Sequence, residues 1–478
     1  MPQRDIYLLS PKHLSPETIA VTFAKTSRSP ESFREIAAEL SDAESARFHE
    51  KWVVGYGHAS VAEHAVLHIA FENVSRLAIE CIESNRLASY TEKSTRYQKW
   101  DPDGFYTPRV IADSQRAELY QQTCTRLFNV YRESLAPVRR WVETQFPRKE
   151  NESEARYDGR IRSKYVDNCR FILPAAALAN LGMTANARVF ENAIRKMLSH
   201  PLEEVREIGE EVKRVALGET PTLVKYAERV PYLAELPTMD DGRWTTERPS
   251  PVIRPSSTSN WLTLVDYDRD GENKFLAAVL YRFGGMSFTE AMTAVRAMTD
   301  QERAGLAAEA LGKLDKYDTP LRELEHVTYT FDSWMDQGAY FEVKRHRMMT
   351  QTPQRLAAGL GWATPSAFEA AGFNAEYQAA MQMAAETYQA LAADFPEEAS
   401  YVIPNAFNRR LLMTLNLREA FAFCELRTAP NAHFSVRRVA ARMYELIREA
   451  HPLLAGFMRC GERPTAESIE QEFFVSVA

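Results

Sequence analysis

The chain is poor in cysteine. Its five cysteines, Cys81, Cys124, Cys169, Cys424 and Cys460, are odd in number and far apart, with no C-x-x-C pair. This excludes a disulfide framework and a zinc ribbon, and suits a reducing compartment. Long hydrophobic runs are missing too, since no stretch of about 18 apolar residues exists to span a bilayer. The opening MPQRDIYLLS has neither the basic nor the apolar region of a secretory signal. A cytoplasmic protein with no membrane partner is expected. Positive charge is not in excess either. The formal net charge is −7 and the pI is near 5.9, whereas a general nucleic-acid surface needs a basic face. A local anion pocket is all that this balance leaves open.

What is present is ordinary globular material: 45% hydrophobic and 26% charged residues over 478 positions, enough for two domains with their own cores. The chain reads as duplicated. Glu63-His64-AVLHIAFENV and Glu325-His326-VTYTFDSW each alternate apolar and polar residues and then turn helical. The first leads to SNRLASYTEKSTRY, Ser84 to Tyr97, and the second to RHRMMTQTPQRL, Arg345 to Leu356. Between the copies, from Pro231 to Asn260, the composition shifts to Pro, Ser, Thr and Asp with no apolar period, which is a linker. The predicted boundaries are 1–232 for the first copy, 233–260 for the linker and 261–478 for the second copy.

In the first copy IYLLS, residues 5–9, predicts a short strand. Ser15-Pro16-Glu17 and Ser29-Pro30-Glu31 look like helix starts. The helical pattern of FREIAAEL and AESARFHEKWVV then runs to Gly55 and Gly57. Val66, His68, Ala70 and Glu72 alternate with Leu67, Ile69, Phe71 and Asn73, as in a strand with two unlike faces. On that strand His64 and His68 share a face but stand roughly 13 Å apart, at about 3.3 Å per residue. No metal is expected there. Ser75 can cap the next helix, and helices are predicted over 114–146 and 155–172. The second copy repeats the order with TLVDYD, FLAAVLYRF and FTEAMTAVRAM, then Val327, Tyr329 and Phe331 alternating against Thr328, Thr330 and Asp332. A helix near 417–427 is expected to turn Leu417, Phe421 and Leu426 inward while Arg418 and Arg427 emerge elsewhere.

By residue type alone, TEKSTRY is either a solvated polar turn or an anion cradle in which Arg96 forks onto a phosphate beside the Ser94 hydroxyl. Arg345-His346-Arg347 cannot all face a core, which predicts a helix end, where positive charge also suits the dipole. Those charges serve either solvent or a multiply charged cofactor.

Both copies resemble the flavin-dependent thymidylate synthases, whose hallmark is Arg-His-Arg followed after a short spacer by Ser-x-Arg-Tyr. The first copy has Ser84-Asn85-Arg86 at the triplet and keeps Glu92, Ser94, Arg96 and Tyr97. The second keeps Arg345-His346-Arg347 and has Pro353, Arg355 and Ala357 at the loop positions. Leu173 to Arg188 and Ile403 to Arg427 follow the family's spacing, but Asn180 and Met197 stand in the first copy where Arg410 and Arg427 stand in the second. The resemblance implies an α+β fold of two tandem homologous domains, each a small, mostly antiparallel sheet wrapped by helices. It implies FAD as cofactor, with NADPH and methylenetetrahydrofolate as cosubstrates, and methyl transfer to C5 of a pyrimidine nucleotide, dUMP to dTMP, with no enzyme nucleophile. Glu92, Ser94, Arg96, Arg410 and Arg427 would then meet the substrate. His326, Arg345, His346, Arg347, Asn416 and Arg418 would meet the cofactor, and His64, Arg86, Asn186 and Arg188 would mark a second or vestigial site. Because sites of this family are shared between subunits, the resemblance also implies a homodimer of fused pseudodimers with composite sites. Cys81 and Glu342 stand near a position where the family often has a nucleotide-contacting Gln, so modification of another nucleotide is one alternative. A non-catalytic nucleotide-binding or scaffold descendant is the other.

Overall fold

The computed structural model describes residues 5–26, 29–55, 59–94, 96, 100, 104–235 and 261–477. Gly57, Tyr97 and residues 236–260, which the sequence reading used, lie outside them. The chain packs into two compact units that interleave along the sequence. The first holds described residues within 1–94, 104–114 and 176–248, and the second those within 95–103, 115–175 and 249–478.

In the first unit, β1 (Val66–Ser75), β2 (Ala88–Glu92) and β3 (Leu178–Asn186) form an antiparallel sheet in the order β1-β3-β2. The predicted alternation holds through the first half of β1, where Leu67, Ile69 and Phe71 are buried and His68, Ala70 and Glu72 exposed. It breaks at Asn73, whose φ of 56° accompanies a register shift between Phe71 and Val74. An Asn tolerates this left-handed conformation better than a bulky residue would. The shift delivers Ser75 to the start of the Arg76–Ile82 helix. Its Oγ accepts from the Ala78 N–H at 2.9 Å and donates to the buried Glu204 carboxylate at 2.6 Å.

The second unit repeats this plan with one more strand. β4 (Leu262–Tyr267), β5 (Thr328–Asp336), β6 (Thr350–Pro353) and β8 (Asn408–Asn416) are antiparallel in the order β4-β5-β8-β6. A short pair joins β7 (Thr364–Pro365) to β9 (Phe474–Ser476). The registers match: Val66 faces Asn186 as Thr328 faces Asn416. Each central strand then runs into a helix, Ala187–Leu198 or Leu417–Arg427, capped by that asparagine. Asn186 accepts from the Val189 N–H at 3.0 Å and Asn416 from the Glu419 N–H at 2.9 Å. The fold is α+β with the domain repeated, as expected.

Several local expectations need correction. Residues 5–9 form no strand; Ile6 and Leu8 are 86% and 82% exposed, so this segment has no partner edge to hold it extended. The second helix starts at Ser32, not Ser29, because Ser32 and Glu35 close a reciprocal capping box. His64 does not share a strand face with His68. It ends a 3₁₀ turn, Ala59–His64, with its ring centroid 4.9 Å from that of Phe23, while His68 hydrogen-bonds Thr184 at 2.8 Å. Thr91 and Glu92 belong to β2 and not to the loop after it. On the Leu417–Arg427 helix, Leu426 is 54% exposed and the Arg427 side chain only 14%. The cation displaces the leucine from the inward position because buried partners await it.

Candidate functional site

In the first unit Glu92 is drawn inward. Its carboxylate pairs with Arg76 at 2.8 Å, and both side chains are almost fully buried. Ser94 is half-buried, Arg86 is exposed, and Asn85, standing where the second copy has His346, is buried with its amide donating to the Ile82 carbonyl at 2.9 Å. Arg188 pairs with Glu63 at 2.5 Å, while Asn186 acts as the helix cap described above.

The second unit gathers a charged cluster. Its helix Gln337–Val343 follows β5 through the cap Asp336, whose Oδ1 accepts from the Ala339 N–H at 2.8 Å. The helix stops at Val343, which sets Arg345-His346-Arg347 just past its C-terminal end, as the sequence predicts. Glu342 in its last turn is the hub. Arg427 donates Nη1–H to Glu342 Oε2 at 2.7 Å, and Arg170 Nη1 lies 3.8 Å from Glu342 Oε1. Arg170 also donates to the Gly338 carbonyl at 3.2 Å, and glycine suits that position because a Cβ there would come within 3.0 Å of Asp336 Oδ1.

Arg427 makes a second bond, from Nε–H to His346 Nε2 at 3.0 Å, and His346 Nδ1 meets Glu419 Oε1 at 3.0 Å. A guanidinium cannot accept a hydrogen bond. The His346 tautomer is therefore fixed, with Nε2 accepting from Arg427 and Nδ1–H donating to Glu419. The result is a continuous chain, Glu419, His346, Arg427, Glu342.

Arg96 belongs to this second unit. It forks onto Asp167 at 2.7 and 2.9 Å and donates to the Asn431 carbonyl at 3.3 Å. Burial alone would push the Glu342 carboxyl upward, but the charges of Arg170, Arg345, Arg427 and Arg96 together hold it below its ordinary range. At Arg427, burial disfavours the charged form and Glu342 opposes that effect. Of the residues singled out in the sequence, Arg96, Arg345 and Arg427 thus act on one carboxylate, Glu342, and His346 is bonded to Arg427.

The others are placed differently. Arg410 lies on the open face of β8 in a forked pair with Asp332 of β5, at 2.9 and 2.5 Å. Arg418 pairs with Glu325 at 2.7 Å, the counterpart of Arg188 with Glu63. It lines a hollow of about 280 Å³ with Asn416, Glu419, Glu425 and Arg459. His326 is exposed at the end of a 3₁₀ turn, and Arg347 is half-buried in its loop. Sequence reasoning missed Asp167, Arg170 and Glu419. One signal was available for Asp167: at the matching place in the second copy Glu397 pairs with Arg355, so a carboxylate on that segment anchors the loop in both copies.

Two further histidines, one near the cluster and one beyond it, are held neutral chiefly by loss of solvent around the ring. His433 accepts from the Ser435 N–H through Nδ1, leaving Nε2–H to donate to the Asp167 carbonyl at 3.0 Å, and burial pushes its pKa well below the ordinary value. His200, in the first unit, is pushed down to about 4 by burial and then by Arg206. Both folded-state values lie below the unfolded one of about 6.5, so the unfolded chain binds more protons between them. Stability is complete above about pH 6.5 and falls as the pH drops toward 4, with His200 alone accounting for about 2 kcal/mol at pH 5. Urea denaturation at pH 7.5 and 5.0 should show this loss, and His200→Gln should reduce it. Equal midpoints at the two pH values would contradict it.

A family model described as "Thymidylate synthase complementing protein" (Thy1) matches residues 10–222 and again 263–453. A UPF0159 protein of Chlamydia muridarum (strain MoPn / Nigg) is 31% identical over 435 residues, covering 88% of this chain and 82% of the relative. A flavin-dependent thymidylate synthase of Clostridium tetani is 26% identical over 216 residues, 45% of this chain and 82% of that protein. Among solved structures, flavin dependent thymidylate synthase ThyX from Helicobacter pylori, complexed with FAD and dUMP, aligns with 42% of this chain and 98% of its own, at 17% identity and a TM-score of 0.31. With the family domain matched twice over most of its 478 residues, the chain belongs to the thymidylate synthase complementing protein family.

Proposed function

We propose that the protein is a flavin-dependent enzyme that transfers a one-carbon unit to C5 of a pyrimidine nucleotide, converting dUMP to dTMP with methylenetetrahydrofolate as donor and NADPH as reductant. The observation that carries this reading is the convergence of cations on one buried carboxylate. The guanidinium groups of Arg96, Arg170, Arg345 and Arg427 all act on Glu342, with Arg427 bonded to it and Arg170 close by. A phosphate monoester carries about −1.5 to −2 at pH 7 and supplies the acceptors such groups need. Arg96 comes from the loop kept only in the first copy, and Arg345 and Arg427 from motifs kept only in the second. The site therefore draws on both copies, taken as residues 1–232 and 261–478.

In this reading Arg96 and Arg427 grip the phosphate, His346 aims Arg427, and the Glu342 carboxylate accepts from an N–H of the base. The half-buried setting strengthens each of these contacts by limiting competition from water. FAD, when bound, supplies the hydride relay and the redox chemistry of the one-carbon unit. The guanidinium groups of Arg345 and Arg347 fit its diphosphate. The hollow beside Asn416 and Arg418 does not, because Asp318, Glu325, Glu419 and Glu425 outnumber Arg418 and Arg459 on its wall. Holding the diphosphate is thus assigned to Arg345 and Arg347, and pairing of two chains into a dimer is part of the same proposal.

Arg345→Ala and Arg347→Ala should each weaken FAD binding about 10-fold, the loss of one charge-assisted bond of about 1.5 kcal/mol, while Ser84→Ala should leave it unchanged. The flavin absorbance of purified protein, followed by FAD titration, checks this. Equal loss in all three variants, or protein that no FAD concentration turns yellow, would overturn the flavin reading. One observation favours a second base: a carboxylate at Glu342, held ionised, only accepts, which also suits the exocyclic amine of a cytosine nucleotide. Titration with dUMP and dCMP side by side decides between them.

A further inference from the structure

A second hollow in the second unit lies away from Glu342. It is a cavity of about 600 Å³, within the range typical of small-molecule sites. Trp141 and Phe146, at the end of the Ala117–Gln145 helix, form one wall. Phe434 and Phe473, stacked with ring centroids 5.0 Å apart, form another. Three cations line it: Arg96, Lys164 and Arg437.

Only Arg96 has its charge matched, by the fork onto Asp167. Lys164 makes no ion pair among the described residues; its ammonium lies 4.0 Å from the centroid of the Phe146 ring. Arg437 makes none either, and its Nε is buried without a hydrogen-bond partner among the described residues. Burial pushes the pKa of both below the ordinary value, with Asp167 and Glu472 opposing at Lys164 and Glu472 at Arg437. Glu472 is exposed and sits nearby without pairing with either.

Two half-buried cations without counter-ions are costly in a stable fold unless something answers them. Their placement among aromatic side chains restricts what that is. A bare inorganic anion would use the cations and leave the apolar walls wet, and a neutral aromatic compound would use the walls and leave the cations unmatched. We propose that this cavity binds a planar aromatic dianion, its ring against the Trp141, Phe146, Phe434 and Phe473 walls and its two acidic groups on Lys164 and Arg437. The site is distinct from the Glu342 cluster, sharing with it only the Arg96–Asp167 pair, whose charges cancel, and the proposal stands whether or not the cluster binds a nucleotide.

Naphthalene-2,6-dicarboxylate is a suitable probe, titrated against the full chain by calorimetry. Wild type should bind it, and Lys164→Met and Arg437→Met should each weaken binding about 10-fold, the loss of one charge-assisted contact. Lys164→Arg, which keeps the charge, should restore most of it and guards against misfolding as the cause. In the same variants dUMP affinity should change less than 2-fold, so that failure here is distinct from failure of the nucleotide reading. No binding of the dicarboxylate, binding unaffected by either Met variant, or equal binding of neutral 2-naphthol would each overturn the proposal.

Discussion

Arg96→Ala should lower the stability of the protein by about 3 kcal/mol at neutral pH, the lower end of what breaking a buried ion pair costs. The Arg96 and Asp167 side chains are only 15% and 12% exposed. Removing the guanidinium leaves Asp167 buried among groups that cannot replace two hydrogen bonds. Burial already pushes its pKa upward, with Arg96 the main opposing influence. In the variant, the folded-state value stands further above the unfolded one. By linkage, the penalty is then largest at neutral pH, shrinks as the pH falls through the raised folded-state value, and is gone below the ordinary aspartate value of about 3.9, where the carboxyl is protonated in both states. Arg96→Ala with Asp167→Asn should recover part of the loss, since the buried charge goes with its partner. Urea denaturation of the two singles and the double completes the cycle. A single variant as stable as wild type at pH 7 would show that the pair is not holding this segment.

The second large effect is expected at Arg427. Arg427→Ala should weaken dUMP binding by about 10-fold to 150-fold, the loss of a charge-assisted bond worth roughly 1.5–3 kcal/mol, and should leave FAD content nearly unchanged. The side chain is oriented from both ends, by Glu342 and by His346, so a group held in place would be lost, not a mobile surface charge. Arg427→Lys keeps the charge but not the fork and should recover only a fraction. His346→Ala tests the orientation itself: it should raise the Kd for dUMP less than Arg427→Ala does and add nothing when combined with it. Full affinity in Arg427→Ala, measured calorimetrically, would remove this residue from the nucleotide site.

Much of the fold was legible because it is written twice. The alternation in β1 and β5 and the Ser75 cap follow local rules that act within a few residues. The same periodicity could not place the ends of elements. It missed the Ser32 start, which depends on a Glu three residues on, and the 3₁₀ turn that removes His64 from the strand. Leu426 and Arg427 were exchanged for a different reason: hydrophobic patterning assigns the leucine inward, but Glu342 and His346, more than 80 residues earlier in the chain, reward the arginine more. Asp167 and Glu419 were invisible for the same cause. Their partners are distant in sequence, and a lone carboxylate on an amphipathic helix looks like a solvated one.

The chain of bonds from Glu419 to Glu342 has counterparts in the first copy, and every one is different: Val189 for Glu419, Asn85 for His346, Met197 for Arg427 and Cys81 for Glu342. The asparagine caps and the Glu63–Arg188 and Glu325–Arg418 pairs are meanwhile kept on both sides. Such a set is lost as a block, because each member is tolerated in a buried place only while its neighbours remain. The reverse path is closed for the same reason. Met197 is now 1% exposed, and an arginine restored there alone would meet a valine, an asparagine and a thiol whose pKa burial has pushed up to about 11. Each step back would be destabilising until the last was taken. The duplication thus carries one such chain of bonds, in the second copy, while Arg96 and Arg170 from the first copy's residues act on its Glu342 carboxylate.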